Sequence, residues 1–379
     1  MNLFDVYPLY NITPVKALDC TITDENGLEY LDLYSGHGVI SIGHTQPDYV
    51  AKLKNQLDNI GFYSNAIQNP LQVELAEKLG KISGCEEYSL FLCSSGAEAN
   101  ENALKLASFH NGKSRVIAFD NSFHGRTSAA VAVTDNKKIV APINAQQVVT
   151  FLPLNNLDLV KAELKKGDVC TVIIEGIQGV GGLDEGTTEF FQGLEKLCAQ
   201  YKVVLILDEV QSGYGRSGKF FAFQHHNIKP DIICLAKGMG NGFPIGGILI
   251  APKFTASHGL LGTTFGGSHL ACAAGIAVLD VIENQKLIDN VNDVYGYFLE
   301  AIKQVPEIVK VKGKGLMLGV EFDFDVSALR KKMIVEKLIF TGSANNKNLL
   351  RILPPLTIKK EDIDTFIVML KESLAELKA

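Results

Sequence analysis

Val203-Val204-Leu205-Ile206-Leu207-Asp208-Glu209-Val210-Gln211 is the stretch on which the fold turns. Five apolar residues in a row, closing on a carboxylate, read as a strand buried inside a sheet. Outward from it, Tyr88–Cys93, Arg115–Phe119, Cys170–Glu175, Asp231–Ala236 and Gly247–Ala251 carry the same strand signal. Between them, segments such as Ala97–Phe109 and Glu189–Tyr201 space their apolar residues as helices do. Strands alternating with helices predict an α/β fold whose large domain (46–270) has a mostly parallel sheet covered on both faces. After about residue 268 the pattern changes. Ala271–Val305 reads as one long helix, Gly315–Phe324 as a short strand, and Leu349–Ile358 as a further segment. Ile363, Phe366, Ile367, Leu370 and Leu374 put an apolar stripe on a closing helix. These elements predict a smaller α+β domain (271–379), which the first 45 residues are expected to join.

At 379 residues the chain has room for two packed domains, and 46% hydrophobic with 21% charged residues suits a globular protein. A formal net charge of −6 argues against nucleic acid as a partner. The first basic residue is Lys16, so no secretory signal is expected at the start, and apolar runs such as Val203–Leu207 are too short to cross a membrane. Seven scattered cysteines without a CxxC pair read as reduced, buried thiols and predict a cytoplasmic protein; no metal is expected. Arginine is scarce: Arg115, Arg126, Arg216, Arg330 and Arg351 are the whole set. Only the guanidinium fork grips a carboxylate bidentately, so each arginine merits separate reading.

Ligands of open α/β sheets bind at the carboxyl ends of the strands, and three polar groups fall there. Cys93-Ser94-Ser95-Gly96-Ala97-Glu98 follows a strand and opens a helix. Free N–H groups at a helix start form an anion site that Gly96 lets a phosphate approach; a capped helix start with Ser95 as N-cap fits the same residues. Asp208 closes the most apolar strand, where a carboxylate needs a partner: a protonated ring nitrogen, an arginine or a helix start. Lys237 sits between Asp231–Ala236 and Gly238-Met239-Gly240-Asn241-Gly242, as a desolvated Schiff-base lysine would, although a solvated surface lysine is the alternative. Together an anion cradle, a buried carboxylate and a flanked lysine are the three grips that pyridoxal 5′-phosphate (PLP) needs.

Ser95-Gly96-Ala97-Glu98-Ala99-Asn100-Glu101, Phe123-His124-Gly125-Arg126-Thr127, Asp208-Glu209-Val210-Gln211, Ala236-Lys237-Gly238 and Thr263-Thr264-Phe265-Gly266-Gly267 follow one another in the order of class III aminotransferases of PLP fold type I. From about Gly27 to Leu356 the chain resembles that family, most of all its acetylornithine and succinylornithine branch. The resemblance implies that Lys237 and Asp208 are catalytic, with Lys237 carrying the cofactor and Asp208 holding its ring nitrogen charged. It implies phosphate binding by Ser95, Gly96 and Ala97, with Thr264 reaching the phosphate of a neighbouring subunit in a homodimer with shared sites. Phe123 would stack on the ring, Gln211 would lie near the ring hydroxyl, and His124 and Glu175 would lie near the cofactor, a structural role for His124 fitting equally. Arg126 and Arg351 would grip substrate carboxylates; Arg115, Arg216 and Arg330 are left structural. The implied reaction moves the terminal amine of N-acetylornithine or N-succinylornithine to 2-oxoglutarate, giving a semialdehyde and glutamate, as in arginine biosynthesis.

Two departures stand out. In the family a Glu usually stands at Val180 and can pair with the arginine matching Arg351, and a Pro stands at Gly176. With Val180 that pairing is impossible, which predicts an Arg351 open to a carboxylate in both half-reactions and suits a succinyl group. Ser268-His269 replaces the family's usual Asn-Pro. Rival readings are another ω-aminotransferase, acting on ornithine, 4-aminobutyrate or a diamine, and a non-catalytic scaffold, against which intact Lys237 and Asp208 count.

Overall fold

A computed structural model describes residues 1–378. The chain opens with a meander of β1 (Pro14–Leu18), β2 (Thr21–Asp24) and β3 (Glu29–Asp32). The central sheet follows: β4 (Ser89–Cys93), β5 (Arg115–Phe119), β6 (Val149–Leu152), β7 (Val169–Glu175), β8 (Val204–Asp208), β9 (Ile232–Leu235) and β10 (Gly246–Ile250), in the order β4-β10-β9-β8-β7-β5-β6. Neighbours run parallel except β10, which is antiparallel to both β4 and β9. The carboxyl ends of β4, β5, β7, β8 and β9 therefore share one edge.

Alternation along the strands decides which side chains meet there. In β8, Val204 and Ile206 join Ile173, Ile232 and Cys234 on the face covered by the helix Gly96–Asn111, through its Ala99, Ala103 and Ala107. Leu205 and Leu207 face the other way, into a core with Phe190, Phe191 and Leu194 of the helix Thr188–Tyr201. All four β8 aliphatics are buried, at about 2 kcal/mol each. The same parity carries Asp208, two residues beyond Ile206, and Glu175, two beyond Ile173, to the face under Gly96–Asn111. Both carboxylates are thus delivered to one place by the strands' period of two.

The remaining strands are β11 (Lys310–Lys314), β12 (Met317–Glu321), β13 (Ile339–Phe340), β14 (Gly342–Ser343) and β15 (Leu349–Ile352). They form an antiparallel sheet β11-β12-β15-β14, while β13 pairs in parallel with β3 and so ties the N-terminal meander to the C-terminal part of the chain.

Three local expectations change. The stretch read as one helix is two, His269–Asn284 and Leu287–Ala301, broken where Lys286 takes a left-handed φ of 51°. The single strand expected over 315–324 is the second arm of the β11–β12 hairpin. The strand β6 was not anticipated: four residues at the sheet's edge give too short a signal. The helix His269–Asn284 packs on Pro47–Asn59 and Pro70–Ser83.

Candidate active site

Five strand ends and their loops enclose a cavity of ≈ 380 Å³, lined among others by Ser95, Gly96, Ala97, Phe123, His124, Arg126, Glu175, Asp208, Gln211 and Lys237. Ten of the twelve residues singled out in the sequence meet here; Arg351 and Thr264 do not line it.

Asp208 is buried at the end of β8. Its Oδ2 accepts from Asn100 Nδ2 (2.8 Å) and lies 2.7 Å from His124 Nδ1, while Oδ1 accepts from the N–H of Val210 (3.0 Å). Asn100 also donates to the carbonyl of His124 (2.7 Å). Asn100 was quoted in the sequence without a role. Its signal was available: it stands one helical turn after Gly96, on the same helix face.

Lys237 follows β9 in a short 3₁₀ turn, Lys237–Met239, with a left-handed φ of 46°. For a residue with a side chain this is uncommon backbone, of the kind concentrated at functional sites. The turn is bolted to the N-terminal segment. Ser41 Oγ donates to Gly238 O (2.8 Å), Asn241 Oδ1 accepts from the N–H groups of Ser41 and Ile42, and Tyr49 Oη donates to Gly240 O. Burial pushes the Lys237 amine down to about 8, against the opposing pull of Asp208 and Glu175.

Glu175 is buried, with Oε1 accepting from the N–H of Phe123 (3.0 Å) and Oε2 from that of Gly179 (2.8 Å). Burial raises it to about 7; the nearby His124 pulls it down, Asp208 pushes it up, and the two N–H donors stabilise its charged form. Neighbouring Glu209 is also raised to about 7 by burial, but it accepts from Ser212 Oγ and the N–H groups of Ala222 and Phe223 and thereby holds the turn Ala222–His226.

At the helix start Ser95 is the N-cap, its Oγ accepting from the N–H of Glu98 (3.2 Å). Capping spends that side chain and leaves the first N–H groups of the helix turned toward the cavity. Gly96 is required by packing as well, since a Cβ there would stand 2.6 Å from Val210 Cγ1.

Arg126 is exposed at the rim, 5.9 Å from the centre of the Phe123 ring. Arg351, in β15, lies behind the cavity wall. Alternation turns it, with Leu349, toward Ile177, Leu183 and Tyr34. Nη1 donates to Gly179 O (2.8 Å) and Nη2 to Tyr34 Oη (2.9 Å), while Nε has no partner among the described residues. Among the described residues no carboxylate pairs with it; Val180 contributes only its carbonyl, to Asn345 N–H. Burial lowers the Arg351 guanidinium. Gly179 is a junction: its N–H holds Glu175, its carbonyl holds Arg351, and a Cβ there would overlap Gln211 Oε1. Tyr34 and Gly179 carried no sequence signal of their own.

Of the other arginines, Arg115 is clasped by Asp168 and Glu163, and Arg216 is buried against the carbonyls of Leu316, Pro354 and Ile40. Arg330 donates to Thr341 O (2.9 Å). Thr264 is exposed, in a segment fastened by Asn65 Nδ2 to the carbonyls of Thr263 and Gly266.

The family model described as aminotransferase class-III matches residues 6–374. An acetylornithine aminotransferase of Bacillus subtilis is 38% identical over 100% of this chain and 99% of its own length, and one of Aquifex aeolicus is 41% identical over 98% and 99%. Among solved structures, the ornithine aminotransferase of Toxoplasma gondii ME49 superposes with a TM-score of 0.91 at 26% identity, covering 98% of this chain and 92% of that one. A Bacillus anthracis aminotransferase gives 0.90 at 25%, covering 99% and 96%.

Proposed function

This chain belongs to the class III aminotransferases, and on that premise we propose that it transfers the terminal amine of N-acetylornithine to 2-oxoglutarate, giving the semialdehyde and glutamate. The observation that carries the reading is the convergence of Lys237, the clamped Asp208 and the helix-start N–H groups on one cavity. The residues fit PLP. Among the described residues Asp208 Oδ1 has a single donor and room for a second, Gln211 Oε1 has no partner, and Gly96 opens the approach to the helix start. When bound, PLP supplies an aldehyde to carry the amine and a charged ring to withdraw electrons from the carbon losing its proton.

The chain's own contribution is positional and electrostatic. Lys237, which burial leaves partly uncharged near pH 8 and so able to accept a proton, holds and returns the proton at the reacting carbon. Asp208, fixed by Asn100 and His124, would hold the ring nitrogen of the cofactor through its carboxylate. Phe123, Ser95, Gly96, Ala97, Glu175 and Gln211 form the cofactor's walls and phosphate seat. Arg126 at the rim and Arg351 behind Gly179 take substrate carboxylates. Arginine biosynthesis is the role this reaction usually serves.

We also assign the chain to a homodimer in which Thr264 serves the partner's site. Supporting this, the exposed Phe62 and Phe265 rings lie 5.3 Å apart, Phe265 being next to Thr264 in the chain, and Leu57, Ile60 and Ile67 of the segment that carries Phe62 are exposed as well. A cytoplasmic location is favoured by seven cysteines that are all buried and unpaired. No helix among the described residues is long and apolar enough to cross a membrane.

The test is a donor panel of N-acetylornithine, N-succinylornithine, ornithine and 4-aminobutyrate, each with 2-oxoglutarate. The acylated ornithines should give the highest kcat/KM; preference for ornithine or 4-aminobutyrate would reassign the substrate. A purified protein that stays colourless with added PLP would favour a scaffold.

A further inference from the structure

Arg126 stands exposed at the cavity rim, so its guanidinium is aimed by the backbone that carries it. That backbone is fixed on both sides. On one side His124 donates its N–H to Thr134 Oγ1 (2.9 Å), and its carbonyl accepts from Asn100 Nδ2 (2.7 Å). Next comes Gly125, with a φ of 141°. A Cβ there would stand 2.9 Å from Ala97 Cβ and 3.0 Å from Ala130 Cβ, so the chain passes tightly against the helix Gly96–Asn111. On the other side Thr127 Oγ1 donates to Glu101 Oε1 (2.7 Å).

Thr127 is the N-cap of the short helix Ser128–Ala132, yet its side chain gives the first turn no hydrogen bond. The acceptor comes from another helix. Glu101 Oε1 also accepts from the N–H groups of Ala129 (2.7 Å) and Ala130 (3.0 Å), so one carboxylate oxygen caps a helix that is not its own. Five residues are too few to hold a helix unaided, and a negative charge suits the positive end of the peptide dipoles. Glu101 directly follows Asn100, which reaches the other way, to Asp208 and the carbonyl of His124. Two consecutive residues of the helix Gly96–Asn111 thus hold Asp208 and the chain on either side of Arg126.

We propose that Glu101 is a positioning residue for substrate binding, holding the backbone of Arg126 where its guanidinium meets a substrate carboxylate. This rests on the aminotransferase reading and on Arg126 as a carboxylate grip. Glu101 does not line the cavity. It acts on affinity through Arg126, and not on the proton transfer at Lys237.

Steady-state kinetics of the PLP-loaded enzyme give KM for N-acetylornithine and 2-oxoglutarate in wild type, Glu101→Ala, Glu101→Gln, Arg126→Ala and the double variant Glu101→Ala with Arg126→Ala. Alongside, each enzyme is mixed with n-butylamine, an amine without a carboxylate, and the loss of visible absorbance is timed. Expected in Glu101→Ala is a KM raised about tenfold for both substrates, with kcat and the n-butylamine rate within about twofold of wild type. In the Arg126→Ala background the same change should add nothing further. Glu101→Gln keeps an acceptor oxygen in place and should bring KM back to within about threefold of wild type. Glu101→Asp draws the carboxylate back by one methylene, should behave as Glu101→Ala does, and carries the test if that variant does not fold. Unchanged KM in whichever of these two folds, an equal loss with n-butylamine, or a further independent loss on top of Arg126→Ala overturns the proposal alone. An Arg126→Ala variant with wild-type KM for both substrates overturns it together with the role of Arg126. A wild type that transaminates neither substrate overturns it together with the functional reading.

Discussion

His124 Nδ1 lies 2.7 Å from Asp208 Oδ2, with both side chains buried. The pair, completed by Asn100, fixes a carboxylate that would otherwise be free to rotate. Asp208→Asn should lower kcat by a hundredfold or more, since breaking a buried charge pair costs about 3 kcal/mol. Asn100→Ala and His124→Ala each remove one of two Oδ2 partners and should lower kcat by roughly tenfold while leaving the fold intact. Single-turnover kinetics with N-acetylornithine checks the order; wild-type rates in both partner variants would remove the clamp from the account.

The Lys237 amine, lowered by burial from 10.5 to about 8, gives a pH prediction. The neutral amine is the nucleophile, so capture of PLP by the cofactor-free enzyme should accelerate as pH rises through about 8 and then level off. An inflection above pH 10 would contradict the desolvation argument. The same shift bears on stability. Between pH 8 and 10.5 the unfolded chain binds the extra proton, so this group's share of stability rises with pH across that window.

Glu175 supplies the opposite sign. Raised from 4.5 to about 7, it takes up a proton as pH falls through neutrality. A carboxylic acid has one good acceptor oxygen, not two, so one of the Phe123 and Gly179 anchors weakens. Because Gly179 O holds Arg351, KM for carboxylate substrates should rise below about pH 7. Glu175→Gln should show the raised KM at pH 8 already, with a flat profile; an unaltered profile would sever Glu175 from Arg351.

How much of this was legible in the sequence follows from where each signal lives. Strand period and apolar runs delivered β4, β5, β7, β8, β9 and β10 to within a residue or two, and with them the edge carrying Asp208 and Lys237. The break at Lys286 was hidden, because two amphipathic helices in series look like one. Tyr34 and Gly179 were hidden too. Their roles arise from contacts with Arg351, far away in the chain, which leave no periodic trace.

Arg351 unites a departure in sequence with a feature of structure. Val180 stands where a carboxylate could have paired with it, and the guanidinium has no acidic partner among the described residues. Arg351→Ala should therefore cost N-succinylornithine more than N-acetylornithine, by about tenfold in relative kcat/KM, since only the former brings a carboxylate on its acyl group. Equal losses would reject an Arg351 open to the acyl end.

The central claim is that one amine, at residue 237, holds the cofactor opposite Asp208. Reducing the PLP-loaded enzyme with borohydride makes that link permanent, and peptide mapping then locates it. The account predicts a single labelled peptide modified at Lys237. Label on any other lysine, or none on a protein that transaminates, would contradict it.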